Sequence, residues 1–269
     1  MRRIKLLNVS IHNMKMVELL EQLRKGGVVF TPNVDHIMKL QRDKKFYSVY
    51  QEADYRVCDS KILMYASKFL GTPIGEKISG SDLFPAFYNH YQHDENIKIF
   101  ILGAVDEVAK TAQQRINSKV GRDIVVGVHS PSFGFDKNEQ ECQQIIETIN
   151  NTDATVLAIG VGAPKQELWI AKHREQLKKI KIFLAIGATI NFEAGKVKRS
   201  PKWMSEIGFE WLYRLLSEPK RLWKRYLLDA LPFFTLILKQ KLQLYKNPWF
   251  PTKKNTSTQL SIKKSFRRM

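Results

Sequence analysis

The chain has 269 residues, 43% of them hydrophobic and 11% aromatic, which suits a packed α/β core and excludes wholesale disorder. Its two cysteines, Cys58 and Cys142, form no CxxC or Cys/His cluster, so neither a zinc site nor a disulfide framework is expected. Both cysteines are expected to be reduced thiols in the cytoplasm. The net charge is +18, and after residue 195 there are 18 Lys and Arg against 4 Asp and Glu, which indicates an anionic partner.

Neither a signal peptide nor a membrane-spanning helix is expected. The segment Ile4–Ile11 is too short, and too interrupted by polar residues, for a signal-peptide core. The most apolar stretch, Tyr226–Leu238, is interrupted by Asp229 and Pro232, whereas a spanning helix needs about 20 apolar residues. The sequence therefore predicts a protein that lies on a membrane surface without crossing it.

Short β-branched runs alternate with amphipathic segments through the first 195 residues. This alternation predicts an α/β fold with a doubly wound, mostly parallel sheet, and continuous apolar runs are typical of strands covered on both faces. The predicted strands are Ile4–Val9, Val28–Thr31, Tyr55–Cys58, Ile97–Leu102, Ile124–His129, Thr155–Ile159 and Ile182–Ile186. The predicted helices include Met14–Lys25 with Asn13 as its N-cap, Val105–Lys119 and Glu139–Asn150.

The pattern changes after Gly195, where the strand signals stop. Pro201–Tyr245 predicts helices broken near Pro219 and Pro232, because proline interrupts helical hydrogen bonding. We therefore predict three parts: an α/β core over residues 1–195, a basic helical appendage over 196–246 and a flexible basic tail over 247–269.

Residues that follow strands are the first candidates for a site, because ligands of doubly wound sheets bind at the carboxyl ends of the strands. Thr31 and Asn33 flank Pro32 directly after one predicted strand, and Asn33 could also simply cap the next helix. Asp59 ends the following strand. It could act as a general base, or it could cap the helix Lys61–Leu70.

A loop of small residues follows a later strand and precedes a helix. It contains Gly160, Gly162, Pro164, Lys165 and Gln166. The small residues allow a ligand to approach the backbone closely, and the N-terminus of the following helix favours an anion, so the loop could contact a nucleotide diphosphate. Alternatively, it could be only a tight structural turn. Its spacing fits neither a Walker A loop nor a dinucleotide fingerprint. Gly103 and Gly187 end neighbouring strands and could complete one nucleotide crevice.

Arg214, Arg221 and Arg225 are spaced by seven and four residues, which predicts one helix face. Aromatic residues interleaved with this segment, such as Trp211 before Arg214 and Trp223 between Arg221 and Arg225, suit a membrane interface. The guanidinium groups equally suit a diphosphate clamp, and a solvated basic face is the third interpretation. The sequence has no Asp-x-Asp, so a metal-held nucleotide sugar is not indicated, and it has no Gly-x-Ser-x-Gly or kinase signature.

Together these segments resemble the WecG/TagA/CpsF family of bacterial glycosyltransferases, over about residues 3–245. The resemblance is carried by GVGAPKQELWI at 160–170, by 187–226, by Thr31-Pro32-Asn33, by Gln41-Arg42-Asp43 with Phe46, and by ISGSDL at 78–83. Three sites depart from the family pattern, and one of them, Asn191, stands where an aspartate is frequent, so it is given no catalytic role. Cys58-Asp59-Ser60 stands where Ala-Asp-Gly is usual, and Lys77 stands where an arginine is common, which keeps the charge but not the bidentate fork.

The resemblance implies a Rossmann-like catalytic core with a helical appendage. It also implies an inverting, metal-independent transfer that needs no cofactor. The donor would be UDP-N-acetylmannosamine and the acceptor undecaprenyl-diphosphate-linked N-acetylglucosamine, in teichoic acid or surface polysaccharide synthesis. The enzyme would sit peripherally on the anionic inner face of the cell membrane, and members of this family can self-associate.

The resemblance also suggests roles for the site residues. Asp59 would be the general base, with Thr31 and Asn33 placing the sugar or the acceptor. Lys77 would bind phosphate. The UDP moiety would be held by Gly103, Gly160, Gly162, Pro164, Lys165, Gln166 and Gly187, with Arg214, Arg221 and Arg225 near its diphosphate.

Three alternatives remain at this point. A capsule or exopolysaccharide transferase could use UDP-N-acetylmannosaminuronic acid or another UDP-hexose. A non-catalytic, membrane-tethered nucleotide-binding module would share the same crevice. Nucleic-acid binding, suggested by a pI near 9.8, ranks last because no nucleic-acid motif accompanies the charge, and no nucleic-acid partner is expected.

Overall fold

The computed structural model describes residues 2–197, 200–201, 204, 210–217 and 219–250. In the last two ranges it describes the side chains of residues 212, 213, 215, 216 and 230–250. The chain begins with an antiparallel hairpin of β1 (Arg3–Leu6) and β2 (Val9–His12). The prediction of one strand over Ile4–Val9 is wrong because the chain turns at Leu7, which has a φ of +53°. Beside it, the buried Asn8 amide donates to the Leu40 carbonyl at 2.8 Å.

A second sheet forms the centre of the fold, and its paired strands all run parallel, as the sequence predicts. Among the described residues its strands lie in the order β4-β3-β8-β7-β5-β6. Their bounds are β3 (Gly27–Phe30), β4 (Tyr55–Arg56), β5 (Ile99–Gly103), β6 (Val125–His129), β7 (Val156–Gly160) and β8 (Ile182–Ala185). β8, the last of these strands in the sequence, therefore lies in the interior of the sheet.

Helices follow most strands. They are α1 (Met16–Leu23), α2 (Val34–Arg42), α3 (Lys44–Gln51), α4 (Lys61–Phe69), α5 (Gly80–His90), α6 (Asp106–Val120), α7 (Glu139–Asn150), α8 (Lys165–His173) and α9 (Thr189–Glu193). The predicted bounds of α7 are confirmed. The predicted cap of α1 is wrong, because Lys15 holds that position and the Asn13 side chain instead accepts the Gly75 N–H at 2.9 Å.

Alternate strand residues enter two separate hydrophobic layers. On β5, Phe100 and Leu102 join one layer, while Ile99 and Ile101 join the other. The first layer includes side chains of α2, α3, α4, α7 and α8, and the second includes side chains of α1, α5, α6 and α9. The helices after β3 and β7 thus cover one face, and those after β5 and β8 cover the other. Helices that leave neighbouring strands toward opposite faces open a crevice at the carboxyl ends of those strands.

Arg56 fastens the hairpin to the edge of the sheet. Its buried guanidinium donates to backbone carbonyl oxygens at 2.9–3.1 Å, and its backbone N–H donates to Nδ1 of His12 at 3.0 Å. The accepting carbonyls belong to Ser10, Tyr50, Gln51 and Ala53. Burial lowers the pKa of His12 to about 4, so its ring is a neutral acceptor at neutral pH. β4 is therefore attached to β3 on one side and, through Arg56 and His12, to the hairpin on the other.

The long helix Pro219–Lys241 packs on the core through its second half. Phe233 and Ile237 are buried in the first layer, and Gln240 accepts the Leu7 N–H at 2.7 Å. Beyond the helix, the indole of Trp249 donates to the Leu40 carbonyl at 2.8 Å. The predicted break near Pro232 is wrong: the helix runs through this proline because neighbouring residues bury apolar side chains that outweigh one lost hydrogen bond.

Of the predicted tail, residues 251–269 lie outside the described part of the chain. Residues 247–250 are described, and here the ring of Trp249 lies 6.2 Å from that of Tyr47. The phenol of Tyr245 donates to the Gln41 side chain at 2.7 Å. The boundaries at 196 and 246 stay predictions.

Candidate active site

Asp59 lies beside the Thr31-Pro32-Asn33 segment. Beyond the short β3–β4 ladder, the Val57 N–H donates to the Phe30 carbonyl at 3.0 Å and the Asp59 N–H donates to the Pro32 carbonyl at 2.9 Å. Asp59 is half-buried and Thr31 is buried. Two of the predicted catalytic residues thus share one edge of the sheet, at the carboxyl ends of β3 and β4.

Two capping alternatives are resolved by the helix ends. The Asn33 side chain accepts the His36 N–H at 3.1 Å, so Asn33 caps α2. The N-cap of α4 is Ser60, so the alternative in which Asp59 takes this position is wrong. Asp59 is therefore placed next to the helix without occupying its cap.

The segment before α5 extends this edge toward β8. The Ile78 N–H donates to the Cys58 carbonyl at 2.7 Å, which aligns the segment with the end of β4. A Cβ added at Gly80 would lie 2.9 Å from the Ile186 carbonyl oxygen, so the start of α5 touches the end of β8. The mostly buried Lys77 ammonium lies 3.6 Å from the Asp82 carboxylate. Lys77 is thereby carried to the same edge as Asp59.

Two glycines, Gly103 and Gly160, let the ends of β5, β7 and β8 approach one another. Gly103 and Gly160 are paired across β5 and β7. A Cβ at Gly103 would lie 2.7 Å from the Gly160 carbonyl oxygen, and one at Gly160 would lie 2.5 Å from the Gly187 carbonyl oxygen. Gly162 and Gly187 both have positive φ, and a Cβ added at either one would meet nothing within 4 Å. Their backbone borders open space, which leaves room for a ligand to approach it closely.

The loop before α8 is held from two directions. The Ala163 carbonyl accepts from the Lys39 ammonium at 3.1 Å. Gln166 is buried, and its side-chain carbonyl accepts the Gly187 N–H at 3.2 Å while its amide nitrogen donates to Glu167 at 2.9 Å. Gln166 thus joins the loops after β7 and β8, and its hydrogen bonds go to protein groups.

Pro164 and Lys165 stand at the start of α8. Pro164 occupies the N-cap position. The Lys165 ammonium lies 3.5 Å from the Asp136 carboxylate and 4.9 Å from the centre of the Phe133 ring. Lys165 therefore pairs with the loop after β6, away from the β3–β4 edge where Asp59 lies.

The predicted arginine face is divided between two helices. Arg214 lies in the helix Glu210–Ser217, whereas Arg221 and Arg225 lie in the long helix. The expectation of one continuous helix face is wrong, because the chain passes from one helix to the next between these residues. The three side chains lie outside the described part of the structure.

Two residues that fix the crevice received no role from the sequence: Lys39 and Glu167. Lys39 reaches the Ala163 carbonyl from α2, more than 120 residues earlier in the chain, and a lysine in an amphipathic helix carries no sign of such a contact. Glu167 is fully buried, although an acid in the first turn of a helix is normally exposed. The only available signal was its place in the 160–170 block.

The described residues contain no group of three or more His, Cys, Asp or Glu side chains placed to hold a metal ion. Within the same part of the chain, no helix combines the length and apolarity needed to cross a bilayer.

Comparison with known proteins gives concordant matches. The family model described as "Glycosyl transferase WecG/TagA/CpsF family" matches residues 4–247. A protein of Staphylococcus aureus strain MRSA252, named N-acetylglucosaminyldiphosphoundecaprenol N-acetyl-beta-D-mannosaminyltransferase, is 24% identical over 244 residues, which cover 86% of this chain and 90% of the relative. A protein of the same name from Bacillus spizizenii strain W23 is 25% identical over 217 residues, which cover 81% of this chain and 80% of the relative.

Proposed function

Because the chain belongs to the WecG/TagA/CpsF family of glycosyltransferases, we propose that it transfers N-acetylmannosamine from UDP-N-acetylmannosamine to undecaprenyl-diphosphate-linked N-acetylglucosamine. The names of the two relatives support this donor sugar and acceptor. The product would enter teichoic acid or surface polysaccharide synthesis. The observation that supports the catalytic part most directly is the hydrogen bond from the Asp59 N–H to the Pro32 carbonyl, which joins the Asp59 backbone to the Thr31-Pro32-Asn33 segment at the carboxyl ends of β3 and β4.

In the proposed reaction Asp59 is the general base. It takes the proton of the acceptor hydroxyl as the hydroxyl oxygen forms a bond to the anomeric carbon. The bond from that carbon to the UDP oxygen breaks, UDP leaves with the bonding electrons, and attack opposite the leaving group inverts the configuration. Thr31 positions the reacting sugar. Asn33 caps α2 and so holds the start of this helix next to the sugar.

The UDP moiety is proposed to lie against the glycine-lined wall. Gly162 and Gly187 offer backbone that borders open space, and Gly103 and Gly160 bring the strand ends together. The leaving diphosphate needs positive charge. We assign this role to Lys77 and to the arginines Arg214, Arg221 and Arg225, without a metal ion, because the sequence has no Asp-x-Asp to hold one.

The acceptor is carried by lipid, so the enzyme is proposed to dock on the anionic inner face of the cell membrane. The long helix exposes the apolar side chains of Leu231, Phe234 and Leu238 opposite its buried side, and Leu242, directly after the helix, extends this row; each is at least half exposed. Next to this row, the Lys241 ammonium lies 5.5 Å from the centre of the exposed Phe69 ring. An apolar helix face flanked by basic residues suits the membrane interface.

Basic residues adjoin the apolar row. A cavity of 410 Å³ is lined in part by Arg2, Arg3, Lys5 and Lys241. Each basic residue near an anionic lipid surface adds roughly 1 kcal/mol of attraction. Apolar insertion and headgroup attraction would therefore act on the same side of the protein.

Replacing Phe234 and Leu238 together by serine is expected to weaken binding to vesicles containing phosphatidylglycerol by about tenfold or more, because two apolar insertions are lost. Co-sedimentation measures the effect, and Val17→Ser serves as the matched control because Val17 is 63% exposed on α1. Unchanged vesicle binding would place the docking surface elsewhere. A change in oligomeric state alone, measured by analytical ultracentrifugation, would assign the row to contacts between copies.

The decisive test of the proposed function is a panel of UDP-sugars with a soluble diphosphate-lipid acceptor and mass detection of the product. We expect one N-acetylhexosamine to be added from UDP-N-acetylmannosamine. Preferred transfer from UDP-N-acetylmannosaminuronic acid or another UDP-hexose would indicate a capsule or exopolysaccharide transferase. UDP binding without any product would indicate a non-catalytic nucleotide-binding module.

A further inference from the structure

Gln166 and Glu167 begin α8 as two adjacent polar residues inside the protein. They are 3% and 0% exposed. Burying a carboxyl group and an amide is costly unless hydrogen bonds satisfy them. This pair lies directly behind the glycine-lined wall, so the use of its hydrogen bonds bears on the shape of the crevice.

The hydrogen bonds of Gln166 fix which way its amide points. Its Nε2 donates to Oε1 of Glu167 at 2.9 Å, and its Oε1 accepts the Gly187 N–H at 3.2 Å. Turning the amide over would set its NH₂ against the Gly187 N–H and its carbonyl against the Glu167 oxygen. Both contacts would be repulsive. An acceptor at position 167 therefore selects the orientation that holds Gly187.

Gly187 forms part of the wall itself. It has a φ of +57°, and a Cβ added there would meet nothing within 4 Å, so its backbone borders the open crevice. Its carbonyl oxygen faces Gly160, and the Gln166 bond fixes its N–H. The position of Gln166 thus controls where this part of the wall stands.

We propose that Glu167 is a positioning residue for the donor: its carboxyl oxygen orients the Gln166 amide, which in turn fixes Gly187 against the bound UDP moiety. This rests on the proposed function, because it takes UDP to be the occupant of the crevice. Glu167 does not touch the donor.

The positioning role does not require an ionised carboxylate. Burial raises the pKa of Glu167 to about 7, while Lys39 lowers it and Asp35 raises it from α2. The buried Tyr50 on α3 shares this environment, and its own pKa is raised well above the usual value, first by burial and then by Glu167. Oε2 of Glu167 has no hydrogen-bond partner among the described residues and can carry the proton. Oε1 stays an acceptor in either state, so glutamine should replace Glu167.

Glu167→Leu and Glu167→Gln separate positioning from packing. Leucine is close in size but offers no acceptor, and we expect it to weaken UDP binding and raise the KM for the UDP-sugar by about tenfold, with little change in kcat. Glu167→Gln should stay within about threefold of the wild type. Calorimetry with UDP, steady-state kinetics and thermal melting are the measurements, and Trp169→Phe on the same helix is the packing control.

An exchange of the two residues gives an independent test. Gln166→Glu alone puts two acceptors face to face and should lose UDP binding. Combining it with Glu167→Gln restores one donor and one acceptor: the new amide donates to position 166, whose carboxylate still accepts the Gly187 N–H. The double variant should regain most of the affinity that the single variant loses.

The outcomes are distinguishable. If the wild type fails to bind UDP, the proposed function fails, and the inference fails with it. If the wild type binds UDP but Glu167→Leu binds it equally well, only the inference fails. Parallel losses of affinity and melting temperature in both Glu167 variants, with no recovery in the double variant, would reduce Glu167 to a packing role.

Discussion

The variant Asp59→Asn should fold and bind UDP but lose most of its transfer activity. The amide keeps the size of the side chain but cannot take the proton of the acceptor hydroxyl, and a positioned base typically contributes about 10²- to 10⁴-fold to the rate. We expect kcat to fall by that amount while calorimetry with UDP gives an affinity close to that of the wild type. Turnover is measured by mass detection of the glycolipid.

Asp153→Asn is the matched control for this variant. Asp153 lies before β7, at the opposite end of the strands from Asp59, and its exposed carboxylate pairs with the Lys179 ammonium at 3.1 Å. Removing its charge should leave turnover unchanged, because exposed ion pairs contribute little. If Asp59→Asn turned over like this control, Asp59 would not be the base.

Gly160→Ala should damage both stability and donor binding. The added Cβ would lie 2.5 Å from the Gly187 carbonyl oxygen and 2.6 Å from Cδ1 of Ile190, so the loop after β8 must move. Overpacking of this kind costs about 1–3 kcal/mol. We expect a lower melting temperature together with a loss of UDP affinity of about tenfold.

Gly121→Ala separates these two effects. Gly121 ends α6 with a φ of +78°, and a Cβ there would meet nothing within 4 Å. This substitution strains the backbone far from the crevice, at a cost of about 1–3 kcal/mol. It should lower the melting temperature without changing UDP affinity. Similar losses of affinity in both variants would show that global stability, rather than the glycine contact, governs donor binding.

The sequence predicted the class of fold because its signals were local. Continuous apolar runs such as Ile182–Ile186 need cover on both faces, and their alternation with helical periods leaves few arrangements other than a parallel sheet. The N-terminal hairpin was missed because Ile4–Val9 is mostly apolar and has no glycine or proline to mark a turn. A turn at Leu7 depends on contacts with Leu40 and Gln240, which are distant in the sequence.

The candidate site was predictable as far as strand ends could be recognised. Asp59, Thr31 and Gly187 each follow a strand, and the rule for doubly wound sheets assigns such residues to one edge. The contact of Gly80 with Ile186 and the orientation of Gln166 by Glu167 were not predictable, because they arise only when loops from different strands are packed together. The sequence thus indicated which loops lie close together, but it did not indicate the side-chain and backbone contacts that join these loops.

The central place of β8 has a consequence for synthesis on the ribosome. β3 and β7 cannot pair with each other, because β8 lies between them, so the sheet stays in two separate pieces until residues 182–185 have left the exit tunnel. Nascent chains that stop earlier would expose the unpaired edges of β3 and β7, which favours aggregation. Premature termination before this strand should therefore yield insoluble fragments without residual transferase activity.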